Sequence, residues 1–162
     1  MFQFRTLPGS SLSGYLTYSK SEYSFSFDAA DEADLAERMG EGRRTSLVID
    51  TLQLETDADS GAVLYAWGYF PAQSWVPARL PVPPAAQARV SVEADPPLEE
   101  AVSVPVWRGQ EFAVEHDEET GWIRVSRSPS GAGAYAEIAS GVVLQLVEGE
   151  LSAVWLHPHI AE

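Results

Sequence analysis

Leu52-Gln53-Leu54-Glu55-Thr56-Asp57-Ala58-Asp59-Ser60-Gly61-Ala62-Val63 decides how the chain is read, because the same pattern returns sixty residues later as Phe112-Ala113-Val114-Glu115-His116-Asp117-Glu118-Glu119-Thr120-Gly121-Trp122-Ile123. Glu, Asp and Gly coincide at 55/115, 57/117 and 61/121, and the Leu/Phe, Leu/Val, Asp/Glu, Ser/Thr and Val/Ile pairs are conservative. In both copies a short apolar strand pattern enters an acidic turn, where Asp bonds the local backbone and Gly supplies positive φ. Self-similarity at a fixed spacing marks a repeated unit. Two readings stand together: a duplicated β-unit, or two independent hairpins that share turn chemistry.

Outward from the first copy, Val63, Tyr65, Trp67 and Tyr69 share one face of the return strand, and Tyr65 and Trp67 are assigned inward. Phe70 to Pro84 carries Pro71, Pro77, Pro81, Pro83 and Pro84, a density that forbids a central strand and reads as a loop. Strand candidates follow at 88–93, 102–107, 112–115 and 122–127. The last pair, 142–147 and 151–157, is joined by Glu148-Gly149-Glu150. Each copy runs on through a Pro/Gly-rich loop and ends near a Trp, at 107 and 155. Upstream, Leu47 to Glu55 reads as one strand. Tyr15-Leu16-Thr17-Tyr18 and Tyr23-Ser24-Phe25-Ser26-Phe27 form a hairpin around Ser19-Lys20-Ser21-Glu22. A short helix follows, capped by Asp28 or Asp31, with Leu35, Ala36 and Met39 as its apolar stripe and Gly40 or Gly42 ending it. The expected fold is α+β, mainly β. An N-terminal hairpin and one short helix (1–46) pack on two antiparallel β-units, 47–107 and 111–157, duplicated in the first of the two readings, that share one core in a single domain, 1–162.

Composition narrows the function. Ten Lys and Arg against 24 Asp and Glu leave a net charge of −14 in 162 residues. Nucleic-acid binding is excluded on this ground, since its affinity rests on cations neutralising phosphates, and anionic membrane surfaces are disfavoured likewise. With no Cys, thiolate catalysis, disulfides and thiolate zinc sites are ruled out. No 18-residue apolar run and no leader-like N-terminus is visible, so the expectation is a cytoplasmic protein that spans no membrane. Arg outnumbers Lys nine to one, which points to a GC-rich bacterial source.

His116-Asp117-Glu118-Glu119-Thr120-Gly121-Trp122-Ile123-Arg124-Val125 and Gly141-Val142-Val143-Leu144-Gln145-Leu146-Val147-Glu148-Gly149-Glu150-Leu151-Ser152-Ala153-Val154-Trp155-Leu156 carry a resemblance. Residues 112–157 resemble a family of small bacterial β-meander domains of unknown function. Its pattern reads Tyr-Asp-x-x-x-Asp-x-apolar-Tyr-apolar, then Gly-apolar-apolar-apolar-Asp-apolar-Asp, then apolar-x-Gly-Ile-Glu-Ile. His116 stands in place of Tyr, Gln145 of Asp and Trp155 of Glu. The resemblance implies a β-meander with an edge open to pairing, sometimes encoded beside toxin–antitoxin genes, and no catalytic residue.

Four constellations bear on chemistry. Asp57 and Asp59, with Asp117 and Glu119, gather four oxygen ligands if a pseudo-twofold axis brings the turns together; otherwise they are solvated turn acids, and the first turn lacks a complete calcium loop. His157 and His159 point the same way on an extended segment, as ligands or as a strand end in solvent. Gly9-Ser10-Ser11-Leu12-Ser13-Gly14 lacks the Lys and the preceding strand of a phosphate loop, and no nucleophile elbow is present. Phe70 and Trp75, on a proline-stiffened loop, are read as exposed and available to a partner. The expectation is a non-catalytic acidic interaction protein, without cofactor, that binds a protein partner (a basic one if charge attracts it) through the aromatic loop or a sheet edge. By analogy only, this is antitoxin-like or immunity-like. The alternative is a β-rich enzyme or ligand-binding protein with a carboxylate-lined site for a divalent metal.

Overall fold

Period-two alternation of apolar and polar residues becomes strand nearly throughout the computed structural model, which describes residues 1–127 and 132–162. Part of the second Pro/Gly-rich loop, residues 128–131, lies outside that description. In chain order the strands are β1 (Phe2–Leu7), β2 (Gly14–Ser19), β3 (Ser24–Ala29), β4 (Arg44–Ile49), β5 (Leu52–Asp57), β6 (Ala62–Tyr69), β7 (Val76–Pro77), β8 (Ala86–Gln87) and β9 (Arg89–Ala94). They continue as β10 (Val104–Pro105), β11 (Ala113–His116), β12 (Ile123–Ser126), β13 (Ala134–Ala139), β14 (Val142–Val147), β15 (Glu150–Leu156) and β16 (His159–Ala161). One helix, α1 (Glu32–Arg38), lies between β3 and β4.

Two sheets result. The first runs β10-β4-β5-β6-β3-β2-β16, with β9 also paired to β6 and β1 to β9; the second runs β7-β11-β12-β15-β14-β13-β8. The first sheet forks at β6, whose Ala62 and Val63 pair with β9 while Gly68 and Tyr69 pair with β3. Facing residues of both sheets fill one core: Leu47, Ile49, Leu52 and Leu54 from the first, and Ile123, Val125, Leu144, Val154 and Leu156 from the second, none above 2% exposed. Cross-strand partners Leu47 and Leu54, or Leu144 and Val154, share a face by register. Each such side chain stabilises the fold by roughly 1.5–3 kcal/mol relative to an exposed one.

The mainly β reading with one helix holds. Asp31 is the N-cap, accepting from the N–H groups of Ala33 at 2.9 Å and Asp34 at 3.2 Å. The N-terminal hairpin, however, does not pack on a sheet as a separate layer. It is hydrogen-bonded into the first sheet through β3 and β6, which satisfies edge groups that a packed-on hairpin would leave open. Leu47 to Glu55 is two strands rather than one, because Asp50 and Thr51 close a tight hairpin between Ile49 and Leu52. Asp50 holds φ 55°, a conformation Asp tolerates better than most residues. The blocks 47–107 and 111–157 also do not map onto the two sheets, since β7 and β8, from the first block, belong to the second sheet.

Those two short strands reveal the work of the proline-rich segment. They lie at opposite edges of the second sheet, β7 parallel to β11 and β8 parallel to β13. The chain between them crosses the sheet's outer face as a strap. Leu80 packs there on Val143, Ala153 and Trp155, apart from the main core. Nine residue steps at about 3.1 Å each reach roughly as far as six strand spacings of about 4.8 Å. Beneath the strap, the Trp155 indole N–H donates to Gln145 Oε1 at 3.0 Å. Gln145 and Trp155 are therefore each other's partner.

The two echoing hairpins share local geometry. Thr56 pairs with Val63 and His116 with Ile123, sixty residues apart, and the N–H of Gly61 and of Gly121 each donates to the Asp carbonyl four residues back at 2.8 Å. Both glycines have positive φ, 77° and 86°. Their surroundings differ: a Cβ at Gly61 would fall on the Val92 carbonyl oxygen, whereas one at Gly121 would meet only the His157 ring, 3.3 Å away. Gly121→Ala is expected to cost about 1–2 kcal/mol, chiefly the left-handed penalty, with a small shift of the His157 ring. Gly61→Ala should cost at least about 1 kcal/mol more, because backbone must move. Urea denaturation of both variants checks this; equal losses would refute it.

Candidate functional site

The first sheet's β6 ends at Tyr69, and the next residue turns the chain inward. The Phe70 N–H donates to the Tyr23 carbonyl at 2.6 Å, and its ring is 3% exposed. Pro71 leads into a 3₁₀ turn, Ala72–Ser74, closed by the Trp75 N–H on the Ala72 carbonyl at 3.1 Å. That turn folds Trp75 back over an aromatic group. Its ring lies 4.8 Å from Tyr18, 6.1 Å from Phe25 and 6.2 Å from Phe70. Tyr18 is buried, donates to the Phe70 carbonyl at 2.8 Å, and has its phenol pushed above the usual range chiefly by that burial.

Phe70 is thus not the exposed loop residue expected from sequence. It fills the corner where β3 joins β6, and its carbonyl is needed by Tyr18. Trp75 is half-buried rather than projecting. Tyr65 and Trp67, expected in the core, are also half-buried. Tyr65 stacks on Phe27 at 5.2 Å, and the Trp67 indole donates to Glu55 Oε1 at 3.1 Å. Glu55 pairs with Arg44 at 3.4 Å; burial raises its carboxyl above the usual range, and Trp67 and Arg44 oppose that rise. A buried carboxylate needs such partners, which is why this strand face is not purely apolar.

Trp75 does line a cleft. Parallel pairing of β7 with β11 sets His116 opposite Pro77 and places the His116 ring edge-on to Trp75, 5.4 Å between centroids. On the other side stand β2 and β16, the edge of the first sheet, with Tyr18 and Ile160. The space between has a volume of about 590 Å³, within the range of ligand sites. Tyr18, Trp75, Pro77 and Ile160 give it apolar walls, and Lys20, His116, Glu118 and Glu162 supply charge and polarity. Lys20 Nζ lies 3.5 Å from Glu162 Oε1, and both side chains are largely exposed. Nothing in the sequence marked Lys20, His116, Glu118 or Glu162, because the strand pairing that gathers them is between distant segments.

One feature of the cleft runs against folding stability. The Trp75 indole nitrogen is enclosed and has no hydrogen-bond partner among the described residues. An unmet buried donor costs about 1–3 kcal/mol.

The acidic candidates stay at their own turns. Asp57 Oδ2 accepts from the Ser60 N–H at 3.1 Å and hydroxyl at 2.6 Å, and Asp59 pairs with Arg43 at 3.5 Å. Asp117 Oδ1 accepts from the N–H groups of Glu119 at 3.0 Å and Thr120 at 3.2 Å, while Oδ2 takes the Leu80 N–H at 2.9 Å. Glu119 is exposed beside it. Among the described residues no three His, Asp or Glu side chains are grouped to hold a metal ion. His157 stacks on Trp122 at 4.7 Å with Nε2 2.9 Å from the Thr120 carbonyl, so its ring is engaged locally and not paired with His159. No helix among them is long and apolar enough to cross a membrane. Comparisons of the chain with family models, curated proteins and solved structures found no match.

Trp75→Phe keeps the ring packing and removes the unmet donor, so stability in urea is expected to equal that of the native chain or exceed it by about 1 kcal/mol. Tyr18→Phe, which strands the Phe70 carbonyl, should lose about 1–2 kcal/mol. A clear loss from Trp75→Phe would refute the first expectation. Asp117 supplies a pH test. Its bond from the Leu80 N–H, with those from Thr120 and Glu119, holds the carboxyl below its usual 3.8 against the opposing effect of burial. The native state then binds fewer protons there than the unfolded chain, so this stabilisation is complete above 3.8 and is lost as pH falls through the native value. Asp117→Ala should show lower stability at neutral pH and a shallower loss below pH 3.8, measured by urea midpoints across pH.

Proposed function

We propose that this chain is a non-catalytic interaction protein that seats a segment of a protein partner in the cleft beside Trp75. The observation that carries this is the half-buried indole on the wall of a cavity of about 590 Å³, flanked by apolar walls and charged residues. Large amphipathic rings in such positions are where binding energy concentrates. Asp57 Oδ2 and Asp117 cap their own turns, Asp59 pairs with Arg43, and no three such side chains gather among the described residues, which favours this reading over a carboxylate-lined metal site. Residues 47–107 and 111–157 are further read as a duplicated unit. Their strands follow the same order, β5-β6-β9 and β11-β12-β15, and their hairpins share a register at the turn. In this view the second copy's turn acquired a place beside the cleft, through Glu118 and Gly121.

A photo-crosslinking residue at exposed Gln73, beside Trp75, tests the cleft in the source cell. The expected result is a discrete crosslinked partner that is lost in Trp75→Ala and kept in Trp75→Phe, with both variants shown to be folded by their melting curves. A crosslink indifferent to Trp75 would overturn the reading. A melting temperature raised by micromolar divalent cation would favour the metal-site alternative, since native-state ligands stabilise by mass action.

A further inference from the structure

The charges around the cleft are unequal. Glu118 and Glu162 both border it, and Lys20, the only lysine in the chain, stands against them in a molecule of net charge −14. Lys20 lies 3.5 Å from Glu162 and leaves Glu118 without an ion pair among the described residues. An indole wall beside carboxylates is the chemistry that recognises a cation: the ring quadrupole attracts it, and the carboxylate accepts its N–H groups.

The protein builds this arrangement once for itself. On the outer face of the second sheet, the Arg124 guanidinium carbon lies 5.3 Å from the Trp155 ring centre, and Arg124 Nε donates to Glu115 Oε1 at 3.0 Å. Indole, guanidinium and carboxylate are complete there. In the Trp75 cleft the indole and the carboxylates are present.

Resting on the reading of the cleft as a partner site, we propose that its occupant is an arginine side chain of a basic partner segment, stacked against Trp75 and paired with Glu118 and Glu162. Arginine fits better than lysine, because its planar guanidinium stacks on an aromatic ring and still presents donors to carboxylates at its edge. Lys20 acts as the resident competitor. It holds Glu162 in the free protein and gives it up when the arginine enters.

The test uses the full chain and three Gly/Ser peptides of equal length that carry a central Arg-Arg, Phe-Leu or Glu-Glu pair. Binding is followed by calorimetry and by the indole N–H resonance of Trp75, assigned by its disappearance in Trp75→Phe. The Arg-Arg peptide is expected to shift that resonance, and to bind more weakly as salt rises. Trp75→Ala should weaken it about tenfold or more, and Glu118→Gln about threefold to tenfold. Lys20→Ala should tighten it about threefold, the reverse of what loss of a structural ion pair would do. A Trp75 shift produced by Phe-Leu and not by Arg-Arg overturns the arginine assignment and leaves the cleft reading standing. No shift with any peptide also overturns the arginine assignment, and the crosslink at Gln73 then decides the cleft reading separately. Looser Arg-Arg binding in Lys20→Ala refutes the competitor role.

Discussion

The hydrogen bond from the Leu80 N–H to Asp117 Oδ2 is the constraint on which much of the second half of the structure depends. Two sheets that face one another across a common core leave a reverse face on each. On the second sheet that face carries Val143, Ala153 and Trp155, too apolar to be left to water. The proline-rich strap covers it, and Asp117 pins the strap near its start. The same carboxylate caps the turn that follows β11, so one side chain couples a local hairpin to a long-range crossing. Asp57, its counterpart in the first copy, caps its turn through Ser60 and holds no strap. Because the strap fixes β7 against β11, it also sets Trp75 against His116 and so gives the cleft its second wall.

The large polar-tipped aromatics show how closely folding accounts for buried donors. Trp67 donates to Glu55, Trp107 to the Leu151 carbonyl at 2.9 Å, Trp155 to Gln145, and Tyr18 to the Phe70 carbonyl. Trp75 departs from this pattern, with its nitrogen enclosed and unmet. Departures from local consistency are expected where a residue serves something other than the fold. The departure falls on the wall of the cleft and nowhere else among these four indoles.

β1, six residues long and paired as a strand with β9 alone, is the long edge of the first sheet. The other edge strands are short: β7, β8 and β10 are two residues long and β16 is three, so each of these offers few backbone groups of its own to a second chain. Prolines at 77 and 105 lie in two of these strands and remove donors there.

Features settled between neighbouring residues are legible in the chain before it folds. Alternation marked most of the long strands, Asp28 or Asp31 with the acids that follow marked the helix start, and the Asp and Gly pairs at 57/61 and 117/121 marked the two turns, whose hydrogen bonds close within four residues. Trp75 was also legible as unusual, a large ring in a proline-rich stretch, although its exposure was overestimated. Phe70 was misread because adjacency to a loop says nothing about which way a ring turns once Tyr18 claims the carbonyl behind it. Long-range packing, by contrast, is what divides Leu47 to Glu55 with a two-residue turn at Asp50, forms β1, β13 and β16, and carries the proline-rich segment across a sheet instead of over open solvent. It alone gathered Lys20, Trp75, His116, Glu118 and Glu162 around one cleft. The physical reason is that turns and caps are satisfied by atoms a few residues apart, whereas a strand edge or an apolar face can be satisfied by any compatible segment. Which segment does so is settled only when the whole chain closes on its core.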